Sequence, residues 1–89
     1  MGRIENLTRD ITKLKKDIEK FEDKIRLARD LNKSGRIDKD KWSKARLKYQ
    51  EKIRAAQIAI RRKEKARLQI EKDEKEKKEQ KEKKEKEFF

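Results

Sequence analysis

The residues of this chain best equipped for chemistry are its arginines. Arg46, Arg54, Arg61, Arg62 and Arg67, with Lys65 among them, lie in one continuous stretch. A guanidinium group stays charged at any physiological pH, and its planar fork of donors matches two oxygens of a phosphate at once. On a helix whose packing stripe is set at zero, Arg54, Arg61 and Lys65 fall between about 100 and 140 degrees, and Arg62 near about 200 degrees. They therefore point outward. A one-sided cluster of this kind is the footprint of a surface that neutralises phosphates and releases condensed counterions. The competing reading is a solvated face of Lys and Arg, which soluble helices commonly carry, heat-adapted ones included. The distribution favours the first reading. Residues 38–70 carry twelve basic against four acidic side chains, a net +8, whereas residues 71–89 carry eight of each. Solubility alone would interleave Glu and Lys in both stretches.

Covalent and acid–base chemistry lacks its usual agents. The chain has no His and no Cys, so a near-neutral general base, a thiolate nucleophile, soft metal ligands and disulfides are all missing. Thr8, Thr12, Ser34 and Ser43 have no partner to activate them as nucleophiles. Glu19 with Asp23, and Glu22 with Arg26, sit at helical spacing, where pairing along the helix is the default role of charged groups. No enzyme activity and no cofactor are expected.

One segment resembles a calcium-binding EF-hand loop. Asp30, Asn32 and Ser34 occupy its first, third and fifth positions, Gly35 the sixth, Ile37 the eighth and Asp38 the ninth. The resemblance covers twelve residues and fails at the last of them. There the loop requires a bidentate Glu, and this sequence has Lys41, with Lys33, Arg36 and Lys39 adding positive charge nearby. No metal site is expected. The same residues read more simply as a Gly-terminated helix followed by an Asp-capped one.

The elements that must hold the basic cluster follow from apolar spacing. Ile4, Leu7, Ile11, Leu14, Ile18, Phe21, Ile25 and Ala28 recur in alternating steps of three and four, four unbroken heptads that place one narrow stripe on a helix. Asn32 to Asp38 break the pattern. Ile37 precedes the capping Asp38 and Trp42 follows it by four residues, the spacing of a hydrophobic staple. A second stripe then runs through Trp42, Ala45, Tyr49, Ile53, Ala56 and Ile60, and no Gly or Pro follows Asp38. A tight turn sets Phe21 opposite Tyr49, Ile18 opposite Ile53, Leu14 opposite Ala56 and Ile11 opposite Ile60. Large faces small in several places.

The expected fold is therefore all-α: a two-helix antiparallel coiled-coil hairpin over residues 1–70, with helices at about 4–33 and 38–70 and a turn at 34–37. Towards its open end the second stripe weakens to Lys63, Ala66, Arg67 and Ile70, and fraying is expected there. Residues 71–89 form a Lys/Glu-rich extension without an apolar stripe. It is either a solitary helix held by Glu–Lys pairs three and four apart or a disordered low-complexity segment. The seven-residue spacing of Trp42 and Tyr49 puts both in the packing stripe rather than on a base-stacking surface.

Leu27, Leu31, Leu47 and Ile58 lie off the stripes near the turn and form an expected partner-docking patch, and Phe88 and Phe89 are either a frayed end or a small added anchor for a partner. A core this thin makes the isolated chain either marginal or self-associated. No apolar run is long enough for a membrane span or a signal peptide, so a cytoplasmic location is expected and no membrane partner. Small, basic and hairpin-shaped with a charged extension, the chain is similar in layout to small helical ribosomal proteins. The basic second helix on a narrow rod is read as a non-catalytic, RNA-associated module in a ribonucleoprotein, with RNA favoured over DNA as partner. The alternative is a coiled-coil interaction or spacer protein, working with a protein partner or as a homodimer.

Overall fold

A computed structural model describes residues 2–88, and the side chains of residues 2–80. Two helices make up the architecture, α1 (Arg3–Lys33) and α2 (Lys39–Phe88), packed against each other as an antiparallel hairpin. At about 1.5 Å per residue α1 is about 46 Å long and α2 about 75 Å. The molecule is accordingly a rod of 79 × 19 × 15 Å. Its radius of gyration is 22.0 Å, against about 12 Å for a compact chain of this length.

The turn forms for local reasons that can be followed bond by bond. Gly35 adopts φ +78°, a conformation that costs a residue with a Cβ about 1–2 kcal/mol. This lets the Arg36 amide donate to the Leu31 carbonyl at 2.9 Å and the Gly35 amide to the Asn32 carbonyl at 3.1 Å, the two bonds of a Schellman motif. Asn32 Nδ2 then donates to the Ile37 carbonyl at 3.2 Å, and the Ser34 hydroxyl to the Leu31 carbonyl at 3.0 Å. Asp38 Oδ1 accepts the Lys41 amide at 2.8 Å, capping α2 at the third amide of its first turn. Asn32, Ser34 and Asp38, three of the residues that give the segment its EF-hand look, are thus engaged in ending one helix and starting the next.

The packing register is the expected one. Phe21 stacks on Tyr49 with centroids 6.1 Å apart, and Ile11, Ala28, Ala56 and Ile60 are the buried apolar residues. The rest of the stripe, Ile4, Leu7, Leu14, Ile18, Phe21 and Ile25 on α1 with Trp42, Tyr49 and Ile53 on α2, is half-buried. Two helices can cover only one side of each other, so no described side chain is fully enclosed.

Beyond Ile70, α2 continues without interruption. It outlasts α1 by about 28 Å, and all described side chains from Glu71 to Gln80 are exposed. The extension is helical rather than irregular, at no cost in buried apolar surface. Glu71 and Glu74 stand four residues before Lys75 and Lys78, the favourable order for such pairs in a helix. Gln69 Nε2 donates to Asp73 Oδ1 at 3.1 Å with the same spacing.

A Cβ added at Gly35 would meet no atom within 4 Å, so substitution there isolates the conformational term. Gly35→Ala should destabilise the hairpin by about 1–2 kcal/mol and Gly35→Asn by less, measured as the urea dependence of helical circular dichroism. Equal stability of the three proteins would contradict a left-handed turn residue.

Candidate nucleic-acid interface

The six cations singled out by spacing do not form one group. Arg54, Arg61, Arg62 and Lys65 are exposed along α2, and their positions place them away from the stripe that meets α1. Arg46 is also exposed but leans towards the hairpin, its guanidinium carbon 5.9 Å from the centre of the Trp42 ring. Arg67 is turned inward. It is half-buried, and its Nη1 donates to Thr8 Oγ1 at 3.3 Å. That hydroxyl in turn donates to the Ile4 carbonyl at 2.9 Å. Arg67 therefore helps close the open end of the hairpin, where the apolar stripe has run out.

What distinguishes the outward group is its lack of neutralising partners. Two ion pairs occur among the described residues. One joins Arg26 to Asp23 within α1, and the hydrogen bond that Arg26 donates to Asp23, followed by the charge of that carboxylate, raises the Arg26 guanidinium above its ordinary pKa. The pair is exposed, so it adds little to stability. The other joins Lys63 to Asp10 across the hairpin at 3.3 Å. Arg46, Arg54, Arg61, Arg62 and Lys65 have no carboxylate partner among the described residues. Arg61, Lys65 and Arg67 edge an open groove with Glu64, Leu68 and Glu71. Two acids enter that groove without forming an ion pair there.

Apolar residues share this side of α2. Leu47, Ile58 and Leu68 are 56%, 43% and 56% exposed, spaced so that they fall between the cations on the outward face. Leu27, at 61%, is exposed on α1 instead. Leu31 is half-buried and its carbonyl anchors the turn, so it belongs to the turn more than to a docking surface. Leu68 is not part of the patch expected from the sequence, although it stands one heptad beyond Arg61 and shares its side. Phe88 and Phe89, the other proposed docking residues, have side chains outside the described residues.

A second basic group also escaped the spacing analysis, because one member lies on each helix. Lys24 of α1 and Lys48 and Lys52 of α2 surround the Tyr49 ring. The available signal was the facing pair Phe21–Tyr49, with a Lys three residues after each. The remaining candidate nucleophiles are internal to the helix: Thr12 Oγ1 donates to the Thr8 carbonyl at 2.9 Å, the usual back-bonding of a helical threonine. Among the described residues no group of three or more acidic side chains is placed to hold a metal ion, and no helix is long and apolar enough to cross a membrane. The chain matches no protein-family model, no curated protein and no solved structure.

The different settings of Arg61 and Arg67 are separable by experiment. Arg67→Ala should lower hairpin stability by about 0.5–1.5 kcal/mol through loss of the Thr8 hydrogen bond and stem packing. Arg61→Ala should leave it within about 0.5 kcal/mol. Thermal and urea unfolding of the two variants make the comparison, and equal losses would remove the distinction.

Proposed function

We propose that this protein is a non-catalytic nucleic-acid-associated module that binds phosphate backbone through the outward side of α2. RNA within a cytoplasmic ribonucleoprotein is the favoured partner. The observation that carries this reading is the row Arg54, Arg61, Arg62 and Lys65, exposed and without carboxylate partners among the described residues, on a helix that holds most of the chain's excess charge. Like charges three and four residues apart, as Arg62 and Arg61 are to Lys65, destabilise a helix, and none of these cations has an ion pair among the described residues to offset that cost. Phosphates would. The contact is electrostatic and shape-based. A straight helix presenting guanidinium forks can bridge backbones across the shallow minor groove of A-form RNA, and sequence-independent contacts of this kind position a protein without reading bases.

The alternative is protein recognition. Leu47, Ile58 and Leu68 supply apolar contacts between the same cations, and the projecting end of α2 has the form of a semi-rigid arm. The α1 stripe is already covered by α2, so another polypeptide would have to use the outward residues. A stable dimer or hetero-complex in light scattering, formed without nucleic acid and abolished by Leu47→Glu with Ile58→Glu, would favour this alternative.

Filter binding to structured RNA across a salt series tests the leading reading. With about four phosphate contacts, log K should fall with log salt at a slope of about −3 to −4. The combined variant Arg54→Glu, Arg61→Glu, Arg62→Glu and Lys65→Glu should bind at least about tenfold more weakly, with a shallower salt slope. A salt-independent response, or unchanged affinity of that variant, excludes the proposal.

A further inference from the structure

Three ammonium groups from both helices gather round one ring at the edge of the hairpin. Lys24 Nζ lies 5.5 Å, Lys48 Nζ 5.6 Å and Lys52 Nζ 5.7 Å from the centre of Tyr49, and Lys52 is also 5.6 Å from the centre of Phe21. No two of these nitrogens can therefore stand further apart than twice the longest of those distances. Each gains from the aromatic face, by about 0.5–1 kcal/mol at an exposed site. One ring cannot neutralise three charges, and Tyr49 already stacks on Phe21. None of the three lysines belongs to an ion pair among the described residues. The cluster is a compact unneutralised positive locus of a size that suits one or two phosphate groups.

Its position matters as much as its charge. Lys52 and Arg61 are nine residues apart, which is two and a half helical turns, so they leave α2 on opposite sides, while Lys48 lies about 40 degrees round the helix from Arg62 but about 21 Å before it along the axis. Lys24, reaching Tyr49 from α1, lies on the Lys52 side. The rod is 19 × 15 Å in cross-section, and the Debye length at physiological ionic strength is about 8 Å. Phosphates bound to the arginine side would thus leave the lysine side largely unneutralised.

We infer that the Lys24–Lys48–Lys52 cluster is a second phosphate-binding site, and that one hairpin holds two nucleic-acid backbones at once, one on each side of the rod. This rests on the polyanion reading above and deepens it from binder to cross-bridge. The aromatic pair holds the lysines in place by stacking across the helix interface, so the second site exists only in the folded hairpin.

Energy transfer between short RNA duplexes, one population carrying a donor and the other an acceptor, tests this with the full-length protein. Transfer should appear when protein is scarce relative to duplex and should disappear when protein is in excess, because each duplex then takes its own protein. The triple variant Lys24→Gln, Lys48→Gln, Lys52→Gln removes the three charges with residues that favour the helix about as well as Lys. It should still bind one duplex, with affinity within roughly threefold of the original because the arginine side is untouched, but lose the transfer signal. The matching Lys→Arg variant should retain it, and circular dichroism confirms that both remain helical. Transfer that persists in the Gln variant, or a native protein that forms only one-to-one complexes, overturns the cross-bridge and leaves single-sided binding intact. A native protein that binds no duplex at all removes both.

Discussion

The governing constraint is geometric: two helices can shield only one narrow stripe of each other. Ile11, Ala28, Ala56 and Ile60 occupy the best-covered positions, and every side chain on the remaining circumference must be compatible with water or with a partner. A thin core also limits the free energy available to offset conformational entropy. That increases the weight of local devices. The Schellman bonds at Gly35, the Asp38 cap and the Asn32 bond to Ile37 together define where the chain reverses and at what angle it returns. A residue's worth of slip at this turn would rotate the α2 stripe by about 100 degrees relative to α1 and turn the arginine row towards the partner helix.

The same constraint explains how charge is divided. Cations close to the interface find something to do within the fold: Lys63 meets Asp10, Arg67 meets Thr8, Arg46 leans on Trp42. The arginine row farther round the helix has no such contact among the described residues. Arg54, Arg61, Arg62 and Lys65 remain a field directed at solvent, and such a field raises the local concentration of anionic partners. The projecting end of α2 obeys a different rule. Acids and bases alternate there and need no tertiary support, because pairing along the helix is local. One continuous helix thus changes from a packed strut with a directional charge to a self-supporting arm with none.

Much of this was legible in the linear pattern. The heptads announced two facing stripes, and Gly35 and Asp38 announced the turn, because helix termination, capping and amphipathic spacing depend on residues within one or two turns of each other. The Phe21–Tyr49 pairing followed from the turn position alone. The outward direction of Arg54, Arg61 and Lys65 was equally readable, being fixed by helical periodicity. Arg67 was harder: its wheel position put it on the weak end of the stripe, while its residue type suggested the phosphate surface. The hydrogen bond to Thr8 places it in the hairpin. Leu31 looked like an exposed patch residue, yet its side chain is half-buried and its carbonyl accepts the turn amides.

Periodicity, capping and charge distribution are properties of consecutive residues, and the order of amino acids by itself therefore determined the two helices, their reversal and the basic character of the second. Only the tertiary structure decided which charges meet across the interface. Lys48 and Lys52 flank Tyr49 in the sequence, but Lys24 stands far from them along the chain, and nothing local to it reveals that it shares the Tyr49 ring. Their convergence depends on the register in which two rods lie side by side, and on side chains long enough to reach across it.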